Sequence, residues 1–170
     1  MKRMYFFRLM SLMALFVFLG SCSAESADET PQNSASENYV TNNDYTYSQI
    51  ELDVADLINE YRVSKGLNSL ELINHISNVS EEHDEYMISI NTLTHDLFAE
   101  RKENLKVTLG AVAVGENLAY NYPTAKTVVD AWINSPAHKA NMESNYSHFG
   151  ISVREDAKGN RYFTAMFIRK

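Results

Sequence analysis

The 170-residue chain has one cysteine, Cys22, and so cannot form an internal disulfide or a cysteine-rich zinc module. It has no His-Glu-x-x-His pair to pre-form a metal site on one helix, and no Gly-x-Ser-x-Gly elbow to expose a nucleophilic serine. Basic residues are few, 15 against 22 acidic, for a net charge of −7. That balance argues against a nucleic-acid partner and against docking on anionic lipid by charge. The only long apolar run, Leu9 to Leu19, is too short to span a bilayer comfortably. No internal repeat is visible. What remains is enough apolar residue, 45%, for one ordinary core held by packing alone.

The apolar run has a different use. Lys2, Arg3 and Arg8 precede it and Gly20-Ser21-Cys22 follows, the layout of a secretory signal peptide. Leu19-Gly20-Ser21-Cys22 resembles a bacterial lipobox, in which the cysteine becomes the acylated first residue of the mature protein. The alternative is an ordinary signal peptide with an incidental cysteine. Removing residues 1–22 takes away three basic residues and no acid, leaving 12 against 22 and a net −10. Acylation, rather than charge, would then hold the protein to a membrane. Residues 23–47 are rich in Ser, Asn, Asp, Glu and Thr, and read as a disordered tether. The folded domain is expected over 48–170.

Ser48 with Glu51 forms a capping-box pattern. Ile50, Val54, Leu57, Ile58 and Tyr61 then line one face of a helix ending at Gly66. A second helix is expected over 72–91, with Leu72, Ile76, Val79, His83, Met87 and Ile90 inward; His83 reads as a hydrogen-bonded core histidine. A turn holds His95, a short helix follows over 97–106, and residues 109–114 connect into Gly115-Glu116-Asn117. Thr124 caps a helix to Asn134 with Val128, Val129, Trp132 and Ile133 on one side, placing Trp132 in the core. Ser135-Pro136 starts the next helix, with the Ser135 hydroxyl as its cap and His138 in its first turn. Residues 148–154 and 161–168 alternate as a hairpin, with Phe149, Ile151 and Val153 facing Phe163, Ala165 and Phe167. Helices followed by a hairpin indicate an α+β fold.

The ordered motifs VGEN, VVDAW, NSPAHKANM and HFGISV, with LINEYRVSKGLNSL upstream, resemble a bacterial member of the CAP superfamily, whose eukaryotic branches are the cysteine-rich secretory, antigen-five and pathogenesis-related proteins. The resemblance runs from about Leu52 to Phe167. It implies an α-β-α sandwich with a small antiparallel sheet between helical layers and a cleft over the sheet. In that family two His and two Glu line the cleft. His95 matches the first His, Glu116 the Glu of the Gly-Glu-Asn element, and His138 the later His. The second Glu, about three residues after the Trp, is absent here, where Ile133-Asn134-Ser135 follows Trp132.

Three readings follow for these residues. His95, Glu116 and His138 are a sound first shell for a divalent metal such as zinc, which would activate water in a hydrolase acting on peptide or envelope polymer. They are equally a hydrogen-bonded network, with Asn117 and Asn141 tying the loops together, in a module that binds a lipid, glycan or peptide. Third, the cleft is vestigial and the protein structural. Ser135 lies three residues before His138, but with its hydroxyl in the cap it is not read as a nucleophile. Tyr120 and Tyr122 would form a cleft rim. The expected protein is a monomer, extracytoplasmic and anchored through Cys22, that binds rather than catalyses.

Overall fold

The computed structural model describes residues 39–170. The expected signal peptide, Cys22 and the expected tether as far as residue 38 lie outside the described residues. Five helices, α1 Gln49–Ser64, α2 Asn74–Ile90, α3 Phe98–Leu109, α4 Ala125–Asn134 and α5 Pro136–Glu143, accompany four strands. The strands are β1 Glu71–Leu72, β2 Ala113–Tyr120, β3 His148–Glu155 and β4 Arg161–Arg169. The sheet order is β1-β3-β4-β2, with β1 parallel to β3 and the other pairs antiparallel.

The hairpin β3–β4 is the centre of this sheet, and its alternation explains the layers. Phe149, Ile151, Val153, Phe163, Ala165 and Phe167 point to one face, where they pack with residues of α1 and α4, including Val54, Ile58, Val128 and Trp132. The other face carries Met166 and Ile168 against Ile76 and Val79 of α2 and Leu105 of α3. Helices therefore cover both sides, giving the expected α-β-α sandwich. Gly150 lets α2 lie directly on β3, because a Cβ there would overlap the Ser77 nitrogen and Ile76.

Several boundaries differ from expectation. Leu72 is in β1, not the second helix, and Ile90 is 42% exposed at the end of α2. Of residues 109–114, expected as a connection, Ala113 and Val114 already belong to strand β2, which runs on to Tyr120. Residues 42–47, expected in the tether, are hydrogen-bonded to the domain. The Asn42 amide donates to His75 Nδ1 at 3.0 Å, Asn78 donates to the Asn42 and Asp44 carbonyls, and the Tyr45 hydroxyl donates to Glu51 at 2.7 Å. No apolar periodicity marks such an extended strap, so composition alone reads it as tether.

Two buried polar residues tie the helices to the loops. Glu51, fully buried, accepts from the Ser48 amide at 2.7 Å, closing the expected box, and from the Val153 amide and Arg154 as well. Arg62, also fully buried, donates to the Met142 and Ser144 carbonyls and so anchors the end of α5. Asn59 both accepts from the Leu70 amide and donates to the Leu70 carbonyl. Hence Asn59 and Arg62 hold the frame on which the cleft is built.

Candidate functional site

Strand β2 is an edge strand, and the Gly-Glu-Asn element sits in its middle. Successive side chains of a strand point to opposite faces. Glu116 therefore turns to the α2–α3 layer and Asn117 to the layer of α4 and α5. This alternation lets one tripeptide organise both sides of the cleft.

On the first side, Glu116 is 6% exposed and fully engaged. Arg101 of α3 donates from Nε to Oε2 at 2.8 Å and from Nη2 to Oε1 at 2.9 Å. His95 Nδ1 lies 2.7 Å from Oε1. His95 reaches this point from a tight turn: the Asp96 amide donates to the Thr94 hydroxyl, and the Phe98 amide to the His95 carbonyl. Arg101 braces that turn by donating to the Asp96 carbonyl at 2.7 Å. Leu97, between them, adopts φ 59°, a left-handed conformation uncommon for a side chain of this size. The His95 side chain stays 59% exposed, open to a ligand.

On the second side, Asn141 of α5 donates to the Glu116 carbonyl at 3.0 Å and to Asn117 Oδ1 at 2.9 Å. Asn117 in turn donates to the His138 carbonyl at 3.1 Å. The two asparagines lock α5 against the strand edge and set the position of His138. Gly115 is required here, since a Cβ would lie 2.5 Å from the Tyr146 hydroxyl and 2.8 Å from Asn141 Oδ1. Trp132 Nε1 donates to the Leu118 carbonyl at 3.0 Å, so a second side chain caps the strand edge. Edge strands left uncapped invite pairing with other chains.

Two hollows follow the strand. One, of about 270 Å³, is lined by His95, Phe98, Val114, Gly115, Glu116 and Asn141. The other, of about 420 Å³, includes Leu93, Leu118, Tyr120, Tyr122, Ser135 and His138 in its wall. Burial, and then the nearby His95, hold the His138 imidazole below its ordinary pKa. Among the described residues the His138 side chain bonds to neither Glu116 nor His95.

The expected metal set, His95, Glu116 and His138, is not assembled as one cluster in this geometry. Both Glu116 oxygens face a guanidinium, which occupies the carboxylate and opposes a second cation. Among the described residues no group of three or more His, Cys, Asp or Glu is placed to hold a metal ion. The residues present do not fit zinc. Ser135 also departs from expectation: it stands at the cap position of α5, but its hydroxyl makes no capping hydrogen bond. Its backbone joins the two helices instead: the amide donates to the Ala131 carbonyl at 3.1 Å and the carbonyl accepts from the Lys139 amide at 2.8 Å. Trp132, 1% exposed, is a core residue as expected, and so is His83, whose Nε2 lies 2.8 Å from the Thr94 carbonyl. Arg101 was not anticipated. The signal was present in its spacing, since Phe98, Arg101 and Leu105 share one face of α3.

The arrangement of this strand between two helical layers invites comparison with known proteins. The family profile described as CAP, cysteine-rich secretory protein family, matches residues 55–167. The chain belongs to this family. The membrane protein YlbC of Bacillus subtilis, uncharacterized by its description, is 34% identical over 126 residues, covering 71% of this chain. This chain spans only 34% of YlbC's own length. An outer surface protein of Borrelia burgdorferi has the same fold at a TM-score of 0.65 and 23% identity, covering 76% of this chain and 99% of that one. An extracellular Bacillus anthracis protein containing an SCP domain gives 0.62 at 25% identity, covering 71% of this chain and 40% of that one. An outer surface protein and an extracellular protein containing an SCP domain thus share this architecture. Among the described residues no helix is long and apolar enough to cross a membrane.

Proposed function

We propose that this CAP domain is an extracytoplasmic binding module, anchored by lipid at Cys22, that takes an amphipathic component of the cell envelope along the β2 edge. The observation that carries the reading is the state of Glu116. A buried carboxylate clamped by Arg101 is a poor general base and a poor metal ligand, but it is a firm support that orients the exposed His95 imidazole. Beside it, the hollow with Tyr120, Tyr122, Leu93 and His138 offers aromatic and apolar surface with a polar tip. Such a pairing suits a ligand with one apolar and one hydrogen-bonding end. The metal-assisted hydrolase is not favoured, because the donor set it needs does not form.

Mass spectrometry of the protein purified without denaturation tests the ligand, with His95→Ala and Tyr120→Ala for comparison. A co-purifying lipid, glycan or peptide that is lost in both variants supports the module. A protein that carries none, and binds no envelope extract, is a structural protein with a vestigial cleft. The anchor is tested separately: Cys22→Ser should move the protein from the detergent phase to the soluble fraction. If it stays membrane-bound, the lipoprotein reading fails while the cleft reading stands.

A further inference from the structure

The strap over residues 42–47 begins on a histidine. His75, in the first turn of α2, is 3% exposed. Its Nδ1 accepts from the Asn42 amide at 3.0 Å, and its Nε2 lies 2.8 Å from Asn104 Oδ1 of α3. A backbone N–H can only donate, so Nδ1 must be bare. A neutral imidazole then carries its hydrogen on Nε2, which suits the Asn104 oxygen. Both ring nitrogens are used, and the pattern exists in one protonation state alone.

The other bonds of residues 42–44 are weaker holds. Asn78 donates to the Asn42 and Asp44 carbonyls, and Asn74 to the Asn43 carbonyl. These asparagine bonds are exposed, so water replaces them at little cost. The bond to the buried His75 ring is the one that water does not replace freely. Farther along, Tyr45 donates to Glu51, and Tyr47 shares a hydrogen bond with Ser77.

We propose that residues 42–44 are an acid-released latch, in which protonation of His75 turns its acceptor Nδ1 into a donor facing the Asn42 amide. Two N–H groups then point at each other, and an attraction becomes a repulsion. The first turn of a helix also disfavours a cation. From α2, Glu82 attracts an imidazolium at this place and so favours release. From α3 the ring meets the neutral Asn104. The strap itself carries the exposed Asp44 and the bonded Tyr45 and Tyr47, with Tyr39 just ahead of it. Release frees the chain up to Tyr45 and adds about 3.3 Å of reach per extended residue to whatever precedes it. The latch needs neither the proposed anchor nor the proposed ligand.

The test is NMR of the full chain from about pH 8 to about pH 5, the range in which an imidazole titrates. It follows the His75 ring and the amides of residues 42–44. At the neutral end the ring should carry its hydrogen on Nε2 alone. On acidification the Asn42 amide should lose its protection from hydrogen exchange in step with protonation of His75. The ratio of released to docked strap should rise by up to about tenfold per pH unit, the limit for one proton. The β3 and β4 amides should keep their protection. Asn104→Asp sets a carboxylate on Nε2, which favours the imidazolium and should move release to higher pH. His75→Gln has no proton to take up, so its strap should not respond over this range; should it fail to fold, Asn104→Asp decides alone. The proposal is overturned if the Asn42 amide stays protected while His75 protonates, or if release waits for carboxylates near about pH 4. It is equally overturned if Asn104→Asp leaves the midpoint in place, or if the strap of His75→Gln still opens with pH.

Discussion

Arg101→Met is the sharpest perturbation of the cleft. Arg101 and Glu116 have side chains only 9% and 2% exposed, and the pair is bidentate. Removing the guanidinium leaves a carboxylate inside with His95 alone for company. Breaking a buried pair from one side typically costs about 3–5 kcal/mol. That is a large share of the roughly 5–15 kcal/mol that holds a domain. For a domain of this size the melting temperature should fall by about 10–20 °C. The loss of the Asp96 carbonyl contact adds to it by loosening the turn that carries His95. Glu116→Gln alone should also destabilise, since it leaves the guanidinium without its counter-charge. The double variant, Arg101→Met with Glu116→Gln, removes both charges and should recover much of the loss. The assay is urea unfolding of all four proteins, read as a double-mutant cycle in which a coupling of about 2 kcal/mol or more is expected. If both single variants cost under about 1 kcal/mol and the effects simply add, the pair is solvated, as exposed pairs are. The account of Glu116 as a clamped support would then be wrong.

Trp132→Ala should cost about 3–5 kcal/mol as a buried large-to-small change, whereas Trp132→Phe, which keeps a ring but strips the donor from the Leu118 carbonyl, should cost about 1–3 kcal/mol; an unchanged urea midpoint for the alanine variant would move Trp132 out of the core. Asn141→Ala removes the donors to the Glu116 carbonyl and Asn117 Oδ1, and amide hydrogen exchange should show α5 opening while β3 and β4 keep their protection. Burial raises the Asp84 carboxyl well above the usual carboxylate range, with the Thr164 hydrogen bond pulling partly back. The native state therefore keeps a proton that the unfolded chain releases near about pH 4, so stability should fall as pH rises from there. Asp84→Asn should flatten that slope in urea titrations across about pH 5 to 8, and a slope identical to the parent's would show that Asp84 is ionised in the fold.

How much could be read in advance depends on how local the cause was. Helices α1 and α4 are set by a cap and an apolar stripe within a few residues of each other, and both start where Ser48 and Thr124 indicate. The β3–β4 hairpin is set by alternation and by the Gly159 turn, which adopts φ 81°, and its facing residues pack together as the period of two requires. The absence of any disulfide, the acidic balance and the order of the motifs are likewise properties of the chain alone, and the motif order carries the family.

Tertiary structure decided the rest, because the causes lie far apart in the chain. Residues 113–120 are a strand only because β4, about forty residues later, pairs with them. Residues 42–47 are ordered by donors and acceptors on α1 and α2. His95 and Glu116 meet as expected, but the partner that fixes their chemistry is Arg101, one basic residue among several on a polar helix. Spacing could place Arg101 on the inner face of α3; only the fold shows that this face meets the Glu116 side of β2. A carboxylate's role follows from the charge opposite it, and that charge is supplied by packing, not by neighbours in sequence.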